Sequence, residues 1–91
     1  MAKKIGMATT KREDVFKLID GERKYQNALP YHSSYIDHDR SVAEWLLLIE
    51  HYLNKAKFSL FKMDEISSLD DIRKLAALAV ACMEHNKTYP R

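Results

Sequence analysis

The stretch SVAEWLLLIEHYLNKA, residues 41–56, decides the fold. Val42, Trp45, Leu46, Ile49, Tyr52, Leu53 and Ala56 recur at the i, i+3, i+4, i+7 spacing of an amphipathic helix. Ser41 followed by Glu44 is a capping box, in which each side chain satisfies an otherwise orphaned backbone N–H at the helix start. Leu47, Leu48, Phe58 and Leu60 lie outside that stripe. A helix apolar on more than one face has more than one partner. The expected architecture is therefore all-α, a small antiparallel bundle of about three helices completed by oligomerisation.

The flanks read as two further helices. Downstream, residues 62–67 form a polar connection, and Ser68 with Asp71 makes another capping pattern. A helix over Leu69 to Glu84 follows, with Ile72, Leu75, Ala76, Ala79, Val80 and Met83 inward. Upstream, Thr10 and Glu13 cap a helix over Lys11 to Gln26 with Val15, Leu18, Ile19, Glu22 and Tyr25 on one face. Gly21 inside it costs about 1 kcal/mol relative to Ala and marks a close helix contact or a bend. Residues 27–40 read as a loop rich in Tyr and His (Tyr31, His32, Tyr35, His38), either a functional segment or a strap over the core. Residues 1–9 and 86–91 are expected to be flexible ends. With two glycines and no alternating β-branched runs, nothing argues for a sheet.

Length and charge narrow the function classes. At 91 residues the chain is one domain. A chain this short builds a marginal core unless something adds to it. The net charge of +2 is too small to imply DNA or RNA binding, so Lys3, Lys4, Lys11 and Arg12 read as a solvated arm. The one cysteine, Cys82, sits in the apolar run Leu75 to Met83, where it acts as a small hydrophobe. That usage fits a reducing cytoplasm. No stretch is long and apolar enough to span a bilayer, and the start lacks the apolar block of a signal peptide. The expected location is cytoplasmic, with no membrane partner.

There is no Gly-rich phosphate loop, no zinc spacing and no nucleophile–base arrangement; His32, His38, His51 and His85 are scattered. Three polar clusters stand out. Glu22, Arg23, Tyr25 and Gln26 close the first helix; His51, Tyr52 and Lys55 lie in the second; Asp71, Arg73 and Lys74 open the third. Glu22 interrupts an apolar face and requires a partner, because an unpaired buried carboxylate is expensive. His51 and Lys55, four apart, share a face. In one reading Glu22 pairs with Arg73 or Lys74 while His51 and Lys55 are solvated. In the other the clusters converge on an anion.

Three stretches carry a family resemblance: Glu22-Arg23-Lys24-Tyr25-Gln26; Ser41 to Ile49; and the alanine-rich Ile72 to Glu84. Together they resemble the small MazG-like proteins encoded by many bacteriophages, over most of residues 15–85. The wider group is similar in fold, with antiparallel helices pairing into dimers or tetramers. Its active members are nucleotide pyrophosphatases that hold Mg²⁺ with Glu-Glu-x-x-Glu on one helix and Glu-x-x-Asp on the next. Mg²⁺ takes hard oxygen ligands, activates a water and neutralises the phosphates. Carried onto this chain, the first motif falls on His51, Tyr52 and Lys55, and the second on Asp71 and Lys74, so one acid of five remains. Lysines at ligand positions repel Mg²⁺, so the resemblance implies no catalytic residue, no metal site and no cofactor.

The same substitutions suit phosphate, which Lys binds as a point charge. The expected function is non-catalytic binding and sequestration of a nucleotide-like phosphate compound by a homo-oligomer. In a phage setting, in the host cytoplasm, this would counter a nucleotide signal of host defence. Lys55 and Lys74 would meet phosphate, Arg23 or Arg73 would clamp it, and Tyr52, Tyr25, Trp45 or the loop tyrosines would stack on a base. Glu22, Gln26 and His51 complete the candidate set. Two alternatives remain: a divergent Mg²⁺-dependent hydrolase using Glu22, Glu44, Glu50 and Asp71, and an adaptor oligomer that binds a host protein.

Overall fold

The Ser41–Glu44 box forms as expected. In the computed structural model, which describes residues 9–30 and 39–91, the Ser41 hydroxyl accepts from the Glu44 N–H at 3.2 Å and the Glu44 carboxylate from the Ser41 N–H at 3.1 Å. The helix it starts, α2, spans Val42–Phe61; α1 spans Arg12–Asn27 and α3 spans Glu65–His85. The described residues are all-helical, with no strand. The loop tyrosines and histidines Tyr31, His32, Tyr35 and His38, and residues 1–8 of the expected flexible start, lie outside them.

Two helix starts differ from expectation. The first is capped by Lys11 with no side-chain hydrogen bond, so Thr10 and Glu13 form no box. The third begins one turn early: Asp64 is the cap and its carboxylate accepts from the Ser67 N–H at 3.0 Å. Ser68 is not a cap. It is buried inside the helix and donates from its hydroxyl to the Ala56 carbonyl at 3.0 Å, tying α3 to α2. The connection is correspondingly tight, Lys62 to Asp64, and Met63 takes a positive φ of 62° to make the reversal.

Helices α2 and α3 form an antiparallel hairpin around Trp45, which is 0% exposed and packs with Leu78 and Ala81. Leu48, Ile49, Tyr52 and Cys82 close around that centre. Helix α1 lies on α3 and barely meets α2. Its contacts advance along both helices together. Val15 and Ile19 share an apolar groove with Ile66 and Leu69, Glu22 meets Arg73, and Arg23 reaches Glu84. Helices α1 and α3 therefore run in the same sense.

The inward faces are rotated from those expected. On α1 the buried residues are Arg23 and Gln26, while Leu18 and Tyr25 are exposed. On α3 they are Ser68, Asp71, Ala77, Leu78 and Ala81, while Ile72 and Met83 are exposed. On α2, Val42, Leu46 and Leu53 stay exposed. The polar partners described below explain the first two shifts, because a buried polar group whose bonds are satisfied competes with an apolar one for the interface. Gly21 is exposed, and a Cβ there would meet nothing within 4 Å, so no close helix contact requires it.

Candidate functional site

Four of the expected site residues gather around one ring. Tyr52 is half-buried on α2. The Lys55 ammonium lies 5.2 Å from the ring centroid and the Lys74 ammonium, arriving from α3, lies 5.9 Å from it. The His51 ring meets Tyr52 edge-on at 5.1 Å. A cation within about 6 Å of an aromatic face is attracted by the ring quadrupole. The spacing His51–Lys55 on one helix and the hairpin register that brings Lys74 across produce this arrangement together.

Arg73 and Lys74 are held by carboxylates. Arg73 donates from Nε to Glu22 Oε1 at 3.1 Å, and its Nη2 also bonds Asp70. Lys74 lies 3.3 Å from Asp70 Oδ2 and 3.9 Å from Asp71 Oδ1. Glu22, Arg73, Asp70, Lys74 and Asp71 thus form one alternating chain of charges. It supplies the partner that Glu22 required. The Glu22 hydrogen bond, outweighing partial burial, raises Arg73 above its ordinary value. Burial works against the charge on Asp70 and on Lys74. Their mutual hydrogen bond and neighbouring charges outweigh it, lowering Asp70 and raising Lys74.

Arg23 and Gln26 tie the end of α1 to α3. Arg23 holds Glu84 through two bonds, Nε–Oε1 at 3.0 Å and Nη2–Oε2 at 3.2 Å. This fork fixes orientation as well as charge. Gln26 donates to the Lys74 carbonyl at 3.1 Å. Its Oε1 is buried and has no partner among the described residues. Tyr25 is exposed on α1. Trp45, expected as a stacking platform, is the centre of the core. Its ring lies parallel to His85 at 6.2 Å and is faced by Arg40 at 5.7 Å.

Asp70 and Glu84 were not among the expected site residues, yet they pair with the cations: Asp70 with Arg73 and Lys74, and Glu84 with Arg23. For Asp70 a signal existed, since it stands three and four residues before Arg73 and Lys74. Among the described residues, no three His, Cys, Asp or Glu side chains come together as metal ligands. Glu22 is engaged by Arg73 and Glu44 by Ser41, so the alternative ligand set is dispersed. No helix of the described residues is long and apolar enough to cross a membrane.

Comparison with known proteins returns no matching family model, no matching curated protein and no matching solved structure.

Proposed function

We propose that the chain is a non-catalytic binding protein for a nucleotide-like phosphate compound and that it works as a homo-oligomer. The observation that carries the reading is the pair of lysine ammoniums flanking the Tyr52 ring. Tyr52 offers a face for a base, Lys55 offers a charge with no carboxylate on it among the described residues, and Lys74 lies beside the ring, shared with Asp70 and Asp71. Arg23 and Arg73 are already saturated by Glu84, Glu22 and Asp70, so they shape the site's floor and do not clamp phosphate. Sequestration without hydrolysis, in the host cytoplasm in a phage setting, is the role this reading gives the chain; the MazG-like resemblance supports only a nucleotide-related ancestry.

A capture-and-release experiment tests it. Purified protein is incubated with linear and cyclic nucleotides, with and without Mg²⁺; the filtrate is quantified, and again after heat denaturation. A nucleotide that is depleted and returns intact supports the proposal; one that returns as product makes the chain an enzyme. For the retained nucleotide, Lys55→Glu is expected to cost about 1.5–3 kcal/mol of affinity, the scale of one charged hydrogen bond plus its reversal. Unchanged affinity would move the site elsewhere.

A second reading, an adaptor that docks a host protein, is favoured by one observation: the apolar groove of about 660 Å³ between α1 and α3. Under that reading a pull-down yields one dominant partner and no nucleotide is depleted.

A further inference from the structure

Asp71 ends the chain of charges with the least to hold it. Three acids, Glu22, Asp70 and Asp71, share the two cations Arg73 and Lys74. The side chains of Glu22 and Asp71 are each 8% exposed. Glu22 accepts a hydrogen bond from Arg73 at 3.1 Å. Asp71 accepts none from a side chain among the described residues. Its ion contact there is Lys74 Nζ at 3.9 Å, and that ammonium lies closer to Asp70, at 3.3 Å. A second acceptor on the same residue is also short of a donor. Gln26 bonds the Lys74 carbonyl through Nε2, while its Oε1 is buried with no partner. A carboxylate withdrawn from water without donors is costly, and its retention points to a donor from outside the chain.

The hairpin sets Asp71 beside Tyr52. Asp71 follows Ser68 by about one turn, on the side of α3 that bonds the Ala56 carbonyl. One turn back along antiparallel α2 from Ala56 is Tyr52, so Tyr52 and Asp71 stand at the same height. Lys74 bridges them, its ammonium 3.9 Å from Asp71 Oδ1 and 5.9 Å from the Tyr52 ring centroid.

We infer that Asp71 reads the base of the bound nucleotide and that the base is guanine. An ionised carboxylate only accepts hydrogen bonds, at two oxygens. Guanine offers two neighbouring donors on its Watson–Crick edge, N1–H and the N2 amino group, which match those oxygens. Adenine and cytosine each set an amino donor beside a ring-nitrogen acceptor, and thymine and uracil flank their N–H with carbonyls. Each of those edges turns a lone pair against the carboxylate. A metal ion is a poorer match, because it would stand against the Lys74 ammonium and finds no group of three ligands among the described residues. A base stacked on Tyr52 turns this edge to Asp71. Lys74 moves off Asp71, keeps Asp70, and joins Lys55 on the phosphates. The inference rests on the nucleotide reading and gives it a base specificity.

Equilibrium dialysis of the whole chain against GDP, IDP, XDP and ADP tests it, with far-UV circular dichroism confirming that the variant keeps its helices. Wild type is expected to hold GDP most tightly. IDP, which lacks the amino group, should bind about tenfold or more weakly, the scale of one unmade bond to a buried charge, and ADP weaker still. Asp71→Asn exchanges one acceptor for a donor. It should lose GDP and gain XDP, whose base carries a carbonyl where guanine carries its amino group; a merely structural Asp71 would not exchange the two. Wild type that holds ADP as tightly as GDP, or Asp71→Asn that still prefers GDP to XDP, overturns the inference and leaves nucleotide binding standing. A chain that holds none of the four overturns both. Should Asp71→Asn lose its helices, the wild-type order of GDP, IDP and ADP decides alone.

Discussion

Helix α2 carries two apolar rows, and the fold uses them differently. Trp45, Leu48, Tyr52 and Ala56 face α3, and the fully buried Trp45 and Ala56 anchor that contact. Leu46, Leu53 and Leu60, one step around the helix, contain as much hydrocarbon and remain exposed. Hydrophobicity alone does not separate the rows. The difference lies in what α3 offers: Leu78 and small Ala81 admit the indole on one side, and the Ser68 hydroxyl, donating to the Ala56 carbonyl, fixes the register there. The first row makes the hairpin, and the second stays exposed.

The strongest way to sharpen that contrast is to truncate one residue from each row. Trp45→Ala should destabilise the chain by about 3–5 kcal/mol, the usual cost of emptying a fully buried aromatic site. Leu46→Ala, its neighbour in sequence, should cost under about 0.5 kcal/mol in dilute chemical denaturation, as at an ordinary surface position. Its cost should grow with protein concentration if the second row is an interface. Equal effects on both, at all concentrations, would erase the distinction.

The polar side of the hairpin makes an intermediate case. Arg73→Met leaves Glu22 buried against apolar atoms. Breaking a buried pair costs about 3–5 kcal/mol, but Arg73 is 38% exposed, and solvent screening reduces the expected loss to about 1–2 kcal/mol. In a Glu22→Gln background the same substitution should cost clearly less, and that coupling is what a double-mutant cycle reads. The network also fixes the pH response. Asp70 is lowered from 3.8, so the stability it contributes is fully present above that value and is lost as pH falls through its lower folded value. Lys74 is raised from 10.5, so its contribution is present below that value and lost as pH rises through the higher one. Thermal unfolding should therefore show an acid decline below about pH 4 that Asp70→Asn reduces.

The smallest expected effect is a gain. Gly21 sits mid-helix in open space, so Gly21→Ala should stabilise by about 0.5–1 kcal/mol. A loss there would point to a contact that α1 makes only in the assembled state.

How far the sequence foretold this follows the range of each interaction. The α2 helix was legible because its cap and its periodicity are local. The start of α3 was not, because a hydroxyl such as that of Ser68 serves equally as a cap or as a donor to a neighbouring helix, and Asp64 already supplied the cap. The α1 face was misjudged for a longer-range reason. Arg23 and Gln26 are buried by Glu84 and the Lys74 carbonyl, 61 and 48 residues away, and no local spacing announces such partners. In the candidate site, His51 with Lys55 was readable from one helix turn, and the pairing of Glu22 with Arg73 from the cost of a lone buried acid. The approach of Lys74 to Tyr52 required the hairpin register.

The most direct test of the two-sided helix is one set of amide and methyl NMR spectra, recorded before and after addition of inorganic pyrophosphate. Pyrophosphate should shift Tyr52, Lys55 and Lys74 and leave Leu46, Leu53 and Leu60 in place. If it moves both sets, or neither, the division of α2 into a binding side and an exposed apolar side is wrong.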